Sequence, residues 1–203
     1  APMHLSDDSI KMFVRTKLSW IKKQQEKFEK QPRQSEREYV SGETLYVFGQ
    51  QYFLRVEYSY KGNSLVLSGN EAILTVRKES TASQREAFVN EWYRALLKEK
   101  IEICLPKWEN ITGLHCDSWQ TKYMTTRWGT CNTNTRKIWL NLQLAKKPIE
   151  CLEYVILHEL AHLKVRNHSK DFVAIMDQYM PYWRETKKLL NDLKLDYMEE
   201  ENE

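Results

Sequence analysis

The stretch from His158 to His162 constrains this chain more than any other, because it reads His-Glu-Leu-Ala-His. On a helix, two residues four positions apart lie on one face, and Glu159 lies beside the two imidazoles. A helix with this spacing can supply two nitrogen ligands to a zinc ion together with a general base. The sequence therefore predicts a zinc site on a helix in the C-terminal part of the chain.

The residues around this motif favour a helix that is largely buried. Aliphatic residues recur through it at Leu152, Val155, Ile156, Leu160 and Leu163. Pro148 suits the first turn, where a fixed φ and a missing N–H cost nothing. Buried histidines need partners, since an unpaired polar group in a core is unfavourable. One zinc ion satisfies both histidines, and hydrogen bonding within the core is the competing interpretation.

His168 is the predicted third ligand, six residues after His162. In a continuous helix it would lie well off the face that the pair shares. The chain must therefore break after Leu163 and fold back. Asn167 can adopt the left-handed conformation that ends a helix, and Ser169 can cap the next one.

Other ligand sets stay open at this point. A carboxylate is the alternative third ligand, with Asp171, Asp177 and Glu185 as candidates. A catalytic zinc has three protein ligands and an open fourth position. If Cys131 closed that position, the zinc would be structural and the chain a non-enzymatic module.

A catalytic site also needs groups that move a proton and stabilise charge. A zinc ion acidifies water and polarises a carbonyl in such sites. Glu159 is the predicted general base, which takes a proton from water and passes it to the leaving amine. A developing oxyanion needs a further donor, and Arg127, Tyr123 and Tyr182 are the candidates.

Composition narrows the class of protein. A length of 203 residues, with 41% hydrophobic residues, is enough to bury a core. The net charge of +3 allows an acidic or nucleic-acid partner without requiring one. Four cysteines form no C-x-x-C pair, and no apolar run is long enough to span a bilayer or act as a signal peptide. We therefore expect a cytoplasmic protein with free thiols and no membrane partner.

Residues 6–30 predict an amphipathic helix, followed by a polar loop at 31–42. Its predicted buried stripe comprises Ile10, Phe13, Val14, Leu18 and Ile21. The opposite face carries Lys11, Arg15, Lys22, Lys23 and Lys27. This basic face is a solvated surface in one interpretation and a weak nucleic-acid-binding surface in the other.

Two β regions flank a second helix. Period-two alternation and glycine turns predict a β-meander over 43–77, and residues 114–144 predict a β-hairpin that includes Leu142 and Leu144 in its second arm. Between them, Ser83 and Glu86 fit a capping box for a helix at about 81–104, which Pro106 should end. Its predicted core stripe is Phe88, Trp92, Leu96 and Ile103. Further helices are predicted at about 169–179 and 182–198.

Three more motifs join the histidine motif. They are Arg-Trp-Gly-Thr-Cys at 127–131, Ile-Trp-Leu-Asn-Leu at 138–142 and Asn-His-Ser at 167–169. Together these resemble the YgjP-like metallopeptidases, relatives of the SprT and WLM proteases. The likeness extends to Ser-Gly-Glu at 41–43, Phe48-Gly49 and Trp20-Ile21, so it spans most of the chain. Thr130 departs from the serine that is usual in the family.

The resemblance implies a zincin-like fold with a sheet edge beside the zinc helix. It implies that His158, His162 and His168 hold the metal and that Glu159 is the base. It also brings the segment 127–131 near the site, which makes Arg127 and Trp128 candidates for substrate binding.

The sequence thus predicts one α+β domain over 1–203, with a small, mostly antiparallel sheet and a helical C-terminus. Its parts are the N-terminal helix and loop (1–42), the meander (43–77) and the catalytic core (78–203). The predicted function is a metallopeptidase with one Zn²⁺ ion that cuts protein or peptide substrates. The alternatives are a nucleic-acid-associated protease acting on DNA-bound proteins, suggested by the SprT and WLM likeness, and the non-enzymatic module with a structural zinc.

Overall fold

The computed structural model describes residues 7–29 and 37–192. These fall into two compact units, the N-terminal helix and the remainder. The remainder has α+β architecture, as the sequence predicts. In the described residues, no helix combines the length and apolarity that crossing a bilayer requires.

Helix α1 (Asp7–Glu29) forms where the sequence predicts it, but its apolar stripe is not buried. Phe13, Val14 and Leu18 are 64%, 43% and 44% exposed. A lone helix cannot cover its own apolar face, and α1 belongs to a unit separate from the main core. The side chains of Ile10 and Ile21 lie outside the described set. The basic side chains Lys11, Arg15 and Lys22 are exposed, whereas those of Lys23 and Lys27 lie outside the described set, and a nucleic-acid role for this face stays a prediction.

The first sheet is not a meander. Its strands are β1 (Thr44–Val47), β2 (Gln50–Tyr58), β3 (Ser64–Ser68) and β4 (Glu71–Val76). Their order is β1-β2-β4-β3, so β4 pairs parallel to β2 and antiparallel to β3. Strand β4 suits this inner place because it is the one strand of this sheet without an exposed residue, and its alternate residues Ala72, Leu74 and Val76 are fully buried.

Helix α2 (Ala82–Thr112) is longer than predicted and runs through Pro106. The cost of an interior proline is offset because Leu105 and Trp108, around and beyond it, are buried. The helix begins with a capping box of Thr81 and Gln84 rather than Ser83 and Glu86. The predicted stripe is displaced by one residue. Val89, Tyr93, Leu97 and Ile101 are the buried residues, while Phe88, Trp92 and Leu96 pack partly buried at its side and Ile103 is 64% exposed.

The second sheet contains β5 (Ser118–Lys122), β6 (Gly129–Asn132) and β7 (Lys137–Asn141). The predicted hairpin is formed by β6 and β7 alone, and β5 joins the other edge of β7 in parallel. Both sheets are therefore mixed: two of the three strand pairings in the first sheet and one of the two in the second are antiparallel. Residues Leu142–Lys146 form a short 3₁₀ helix instead of extending β7, because the Asn141 side chain accepts a hydrogen bond from the Gln143 N–H and caps it.

Three helices complete the fold: α3 (Ile149–His162), α4 (Lys170–Tyr179) and α5 (Trp183–Asp192). Pro148 is the N-cap residue of α3, close to where the sequence predicts the start. Helix α3 is the centre of the core and contacts α2, α4, α5 and the second sheet. The predicted continuation of α5 to residue 198 lies outside the described residues.

Candidate active site

The buried helix α3 carries the first two histidines. His158 and His162 lie one turn apart, with ring centroids separated by 4.8 Å. Glu159 sits between them in sequence and is only 5% exposed. The helix is held by its tertiary contacts, because residues such as Leu152, Ile156 and Leu160 have no exposed surface.

The chain breaks after α3 at the predicted place, but by another means. The N–H groups of Leu163 and Lys164 donate to the carbonyls of Leu160 and Ala161, which tightens the last turn into 3₁₀ geometry. Asn167 is not in the left-handed conformation, contrary to the prediction. Ser169 occupies the N-cap of α4 in extended conformation, without a side-chain capping bond.

The break returns His168 to the histidine pair. Suitable nitrogens of His158, His162 and His168 all lie within 4.8 Å of one another. The Nε2 atoms of His158 and His168 are 3.0 Å apart. Phe172 on α4 packs against all three imidazoles, with centroid distances of 4.8–4.9 Å. Its ring therefore backs the cluster.

The donor chemistry of this cluster fits a metal ion. The Nδ1 atom of His162 lies 3.1 Å from the Val165 carbonyl oxygen, so it donates there and leaves Nε2 as an electron-pair donor. Burial, followed by His162, His168 and Lys187, lowers the pKa of His158 to about 3, and burial also lowers the pKa of His162. Converging neutral imidazoles suit transition-metal ions such as zinc, copper, iron or nickel.

The Glu159 carboxyl lies in a space that only glycine leaves open. A Cβ atom on Gly129 would lie 2.6 Å from Glu159 Oε1 and 2.9 Å from Val155 Cγ1. Burial raises the pKa of Glu159 to about 8, and Arg127 opposes that shift. The glycine of the Arg-Trp-Gly motif therefore makes room for the acidic residue of the histidine motif.

Asn141 holds the segment that precedes this glycine. Its buried side-chain amide donates to the carbonyl oxygens of Met124 and Arg127, at 2.7 Å each. Its Oδ1 accepts a hydrogen bond from the Met124 N–H at 3.3 Å, and its own N–H donates to the Trp128 carbonyl at 2.9 Å. The asparagine of the Trp-Leu-Asn motif thus fixes the backbone on which the Arg-Trp-Gly motif lies.

A cleft of about 430 Å³ opens over α3, between the second sheet and α5. Arg127 and Trp128 line it together with the histidines and Glu159. Of the other predicted donors, neither Tyr123 nor Tyr182 lines the cleft, and Tyr182 is 53% exposed elsewhere.

The rival ligands do not join the described histidine cluster. Cys131 lines the cleft, but it is not part of the group of converging ligand atoms. Asp171, Asp177 and Glu185 are also outside that group. Asp177 instead accepts hydrogen bonds from Trp183 and Arg184.

Sequence reasoning missed four residues that shape the site. Tyr154 lies one turn before His158 on the same face of α3, so helical spacing could have found it. Asn141 is a polar residue at the end of a buried apolar run, which is a detectable signal. Phe172 and Lys187 come from α4 and α5, and no local pattern relates them to the motif.

The chain resembles known proteins both in structure and in sequence. The structure is similar to two crystal structures of metallopeptidase zymogens, abylysin of Pyrococcus abyssi and jannalysin of Methanocaldococcus jannaschii. The abylysin match is 20% identical, has a TM-score of 0.43 and covers 48% of this chain and 99% of that one. The jannalysin match is 22% identical, has a TM-score of 0.41 and covers 45% and 93%.

Among curated proteins, none matches. The family model described as YgjP-like, metallopeptidase domain, matches residues 1–193. That match spans both sheets and all the motif residues described above. The chain belongs to the YgjP-like metallopeptidase family.

Proposed function

We propose that the chain is a zinc-dependent peptidase with a zincin-like site, in which His158, His162 and His168 hold the metal and Glu159 is the general base. One observation carries the proposal: three imidazoles converge over a cleft, beside a buried carboxyl group for which Gly129 leaves room. Three protein nitrogens and a position open to the cleft are typical of a catalytic rather than a structural zinc. The position of Cys131 outside the described ligand group favours this reading over the structural one.

The residues divide the chemistry between them. A zinc ion bound to the three histidines would supply Lewis-acid polarisation and acidify water. Glu159 accepts a proton from water and later donates it to the leaving amine. Burial raises the pKa of this carboxyl above its ordinary value, which suits a group that must both take up and return a proton. Arg127, which lines the cleft, is the remaining predicted donor for the developing oxyanion.

Glu159→Gln tests the proposal. The amide keeps the size of the side chain but cannot accept the proton, so peptide cleavage should fall by about 10²–10⁴-fold while zinc content stays unchanged. Glu150→Gln, an exposed residue in the first turn of the same helix, is the matched control and should keep full activity.

Zinc content gives the second readout. The double variant His158→Ala/His162→Ala should fold and lose its zinc, as measured by metal analysis after gel filtration. A wild-type protein that folds but cannot be loaded with zinc would refute the metal assignment. Full cleavage by Glu159→Gln would refute the assignment of the base.

A further inference from the structure

The cleft is unevenly charged. Its lining includes three cationic side chains, Arg127, Arg166 and Lys187, and one acidic residue, Glu159. The acidic residue is only 5% exposed, whereas all three cations are exposed. A substrate in the cleft therefore meets a positive rim, and the one acidic side chain of the lining lies beneath it.

The three cations come from separate places around the histidines. Lys187 lies on α5 and is near enough to His158 to contribute to the lowering of its pKa. Arg127 precedes β6 on the opposite wall, beside Glu159. Arg166 lies in the turn after α3, where its guanidinium donates to Asn134 Oδ1 at 3.2 Å.

None of these cations forms a salt bridge within residues 7–29 and 37–192, although Arg127 lies close enough to Glu159 to oppose the rise in its pKa. Elsewhere in the described structure, several cationic side chains form salt bridges with carboxylates: Lys107 with Glu153, Arg136 with Asp117 and Arg184 with Asp177. No ion pair of that kind involves Arg127, Arg166 or Lys187 in the same residues. Their charge is left for a ligand.

A contact with an aromatic ring restricts the position of the Lys187 side chain. Its Nζ lies 5.7 Å from the centre of the Trp183 ring, and that ring stacks on Tyr154, which lines the cleft. The contact with an aromatic face is favourable for an ammonium group and restricts where the side chain lies. Helix α5 thus presents a positive charge to the cleft that the histidines line.

We propose that this cleft selects peptides that carry aspartate or glutamate side chains beside the cleaved bond, and that Lys187 and Arg166 are the residues that determine this specificity. The proposal rests on the peptidase function above and adds the substrate class. Charge complementarity carries it: Arg166 and Lys187, which form no salt bridge in the described residues, line the cleft together with Arg127 where a peptide must lie to reach Glu159.

Paired peptides test the preference. One peptide carries glutamates beside the central bond and the other carries glutamines at the same positions. Their affinity is measured by fluorescence on zinc-loaded Glu159→Gln protein, and kcat/KM on the wild-type protein. The acidic peptide should bind about tenfold more tightly, since each exposed ion pair contributes modestly, and the difference should shrink with added salt.

A charge reversal locates the effect. Lys187→Glu should lower the acidic-over-amide ratio by about three- to tenfold, because it replaces an attraction by a repulsion. Lys188→Glu is the matched control: it lies on the same helix, is equally exposed and does not line the cleft. It should leave the ratio unchanged. Circular dichroism and the melting temperature check that both variants fold.

The outcomes separate this proposal from the peptidase function. If wild-type protein cuts both peptides equally well and Glu159→Gln cuts neither, the peptidase function stands and the acidic preference is refuted. If neither peptide is cut, the function fails, and the affinity ratio alone decides whether the cleft prefers acidic ligands. An equal loss of preference in Lys187→Glu and Lys188→Glu would also overturn the proposal, because general surface charge would then explain it.

Discussion

The three histidines reach the same point from two unlike regions. The ligand helix, α3, presents His158 and His162 through its regular geometry and is largely buried. The return segment, residues 163–169, presents His168 from an irregular and mostly exposed stretch. The first pair needs only a helix, whereas the third histidine depends on Phe172 and α4 to hold it in place. The positions of His158 and His162 follow from local helical geometry, whereas the position of His168 depends on packing against α4.

Removing one histidine from each region should break this comparison most clearly. His158→Ala leaves no pair on the helix and should abolish stoichiometric zinc binding. His168→Ala keeps the helical pair and should bind zinc with reduced affinity, measured by competition with a chelator. Equal losses in the two variants would show that the helix alone does not provide a site.

Phe172→Ala should affect the return segment more than the ligand helix. The loss of a buried aromatic ring costs about 3–5 kcal/mol of unfolding free energy. Because the ring contacts all three imidazoles, zinc affinity should also fall. Phe172→Leu, which keeps an apolar side chain, should retain most of both. Urea unfolding and zinc competition measure the two effects, and unchanged zinc affinity in Phe172→Ala would show that His168 does not depend on this contact.

Gly129→Ala should disturb the ligand helix without touching the return segment. Its Cβ would lie 2.6 Å from Glu159 Oε1, so the carboxyl or the strand must move. Overpacking of this kind costs about 1–3 kcal/mol, and a base displaced by about 1 Å can lose about 10²-fold in rate. Thr130→Ser in the same strand is the control and should be nearly neutral. Normal activity in Gly129→Ala would mean that Glu159 can act from a different position.

The smallest expected effect is the pH dependence of stability in the metal-free protein. His158 and Glu159, neighbours on the ligand helix, should change the free energy of unfolding with opposite signs as the pH rises. The pKa of His158 falls from its ordinary value of 6.5 to about 3, so the unfolded state binds more protons in that window. Its contribution to stability is complete above about pH 6.5 and is lost as the pH falls. The pKa of Glu159 rises from 4.5 to about 8, so its contribution is complete below about pH 4.5 and is lost as the pH rises.

Unfolding of chelator-treated protein across this range measures both limbs. One group changes stability by at most about 1.4 kcal/mol per pH unit. Glu159→Gln should flatten the alkaline limb and leave the acid limb in place. A steeper alkaline limb in that variant would contradict the assignment.

The comparison also explains what the sequence could predict. The pair on α3 follows from helical spacing, and the break before His168 follows from the misfit of six residues to a helical turn. The sequence did not predict how the helix ends. A last turn tightened into 3₁₀ geometry ends it, in place of the left-handed conformation expected at Asn167. Several local conformations reverse a chain equally well, and tertiary packing selects among them.

Long-range pairing was beyond the local pattern. Alternation identified strands in both β regions, but it does not state which strand lies beside which, so the parallel partners of β4 and β5 were missed. Pro106 predicted a helix end that the burial of Trp108 overrides. Tyr123 and Tyr182 were plausible donors by residue type, but neither lines the cleft.

The bonds made by Asn141 have a consequence for how this enzyme could be redesigned. Its side chain forms hydrogen bonds with main-chain atoms of Met124 and Arg127 and not with their side chains. The identity of the residues at 124–126 can therefore be varied while the loop keeps its course, whereas Arg127 lines the cleft and is the proposed oxyanion donor. Libraries at these positions would vary the loop beside the cleft and leave Gly129 and Glu159 in register. A single asparagine separates the part of the enzyme that must stay constant from a part that is open to variation.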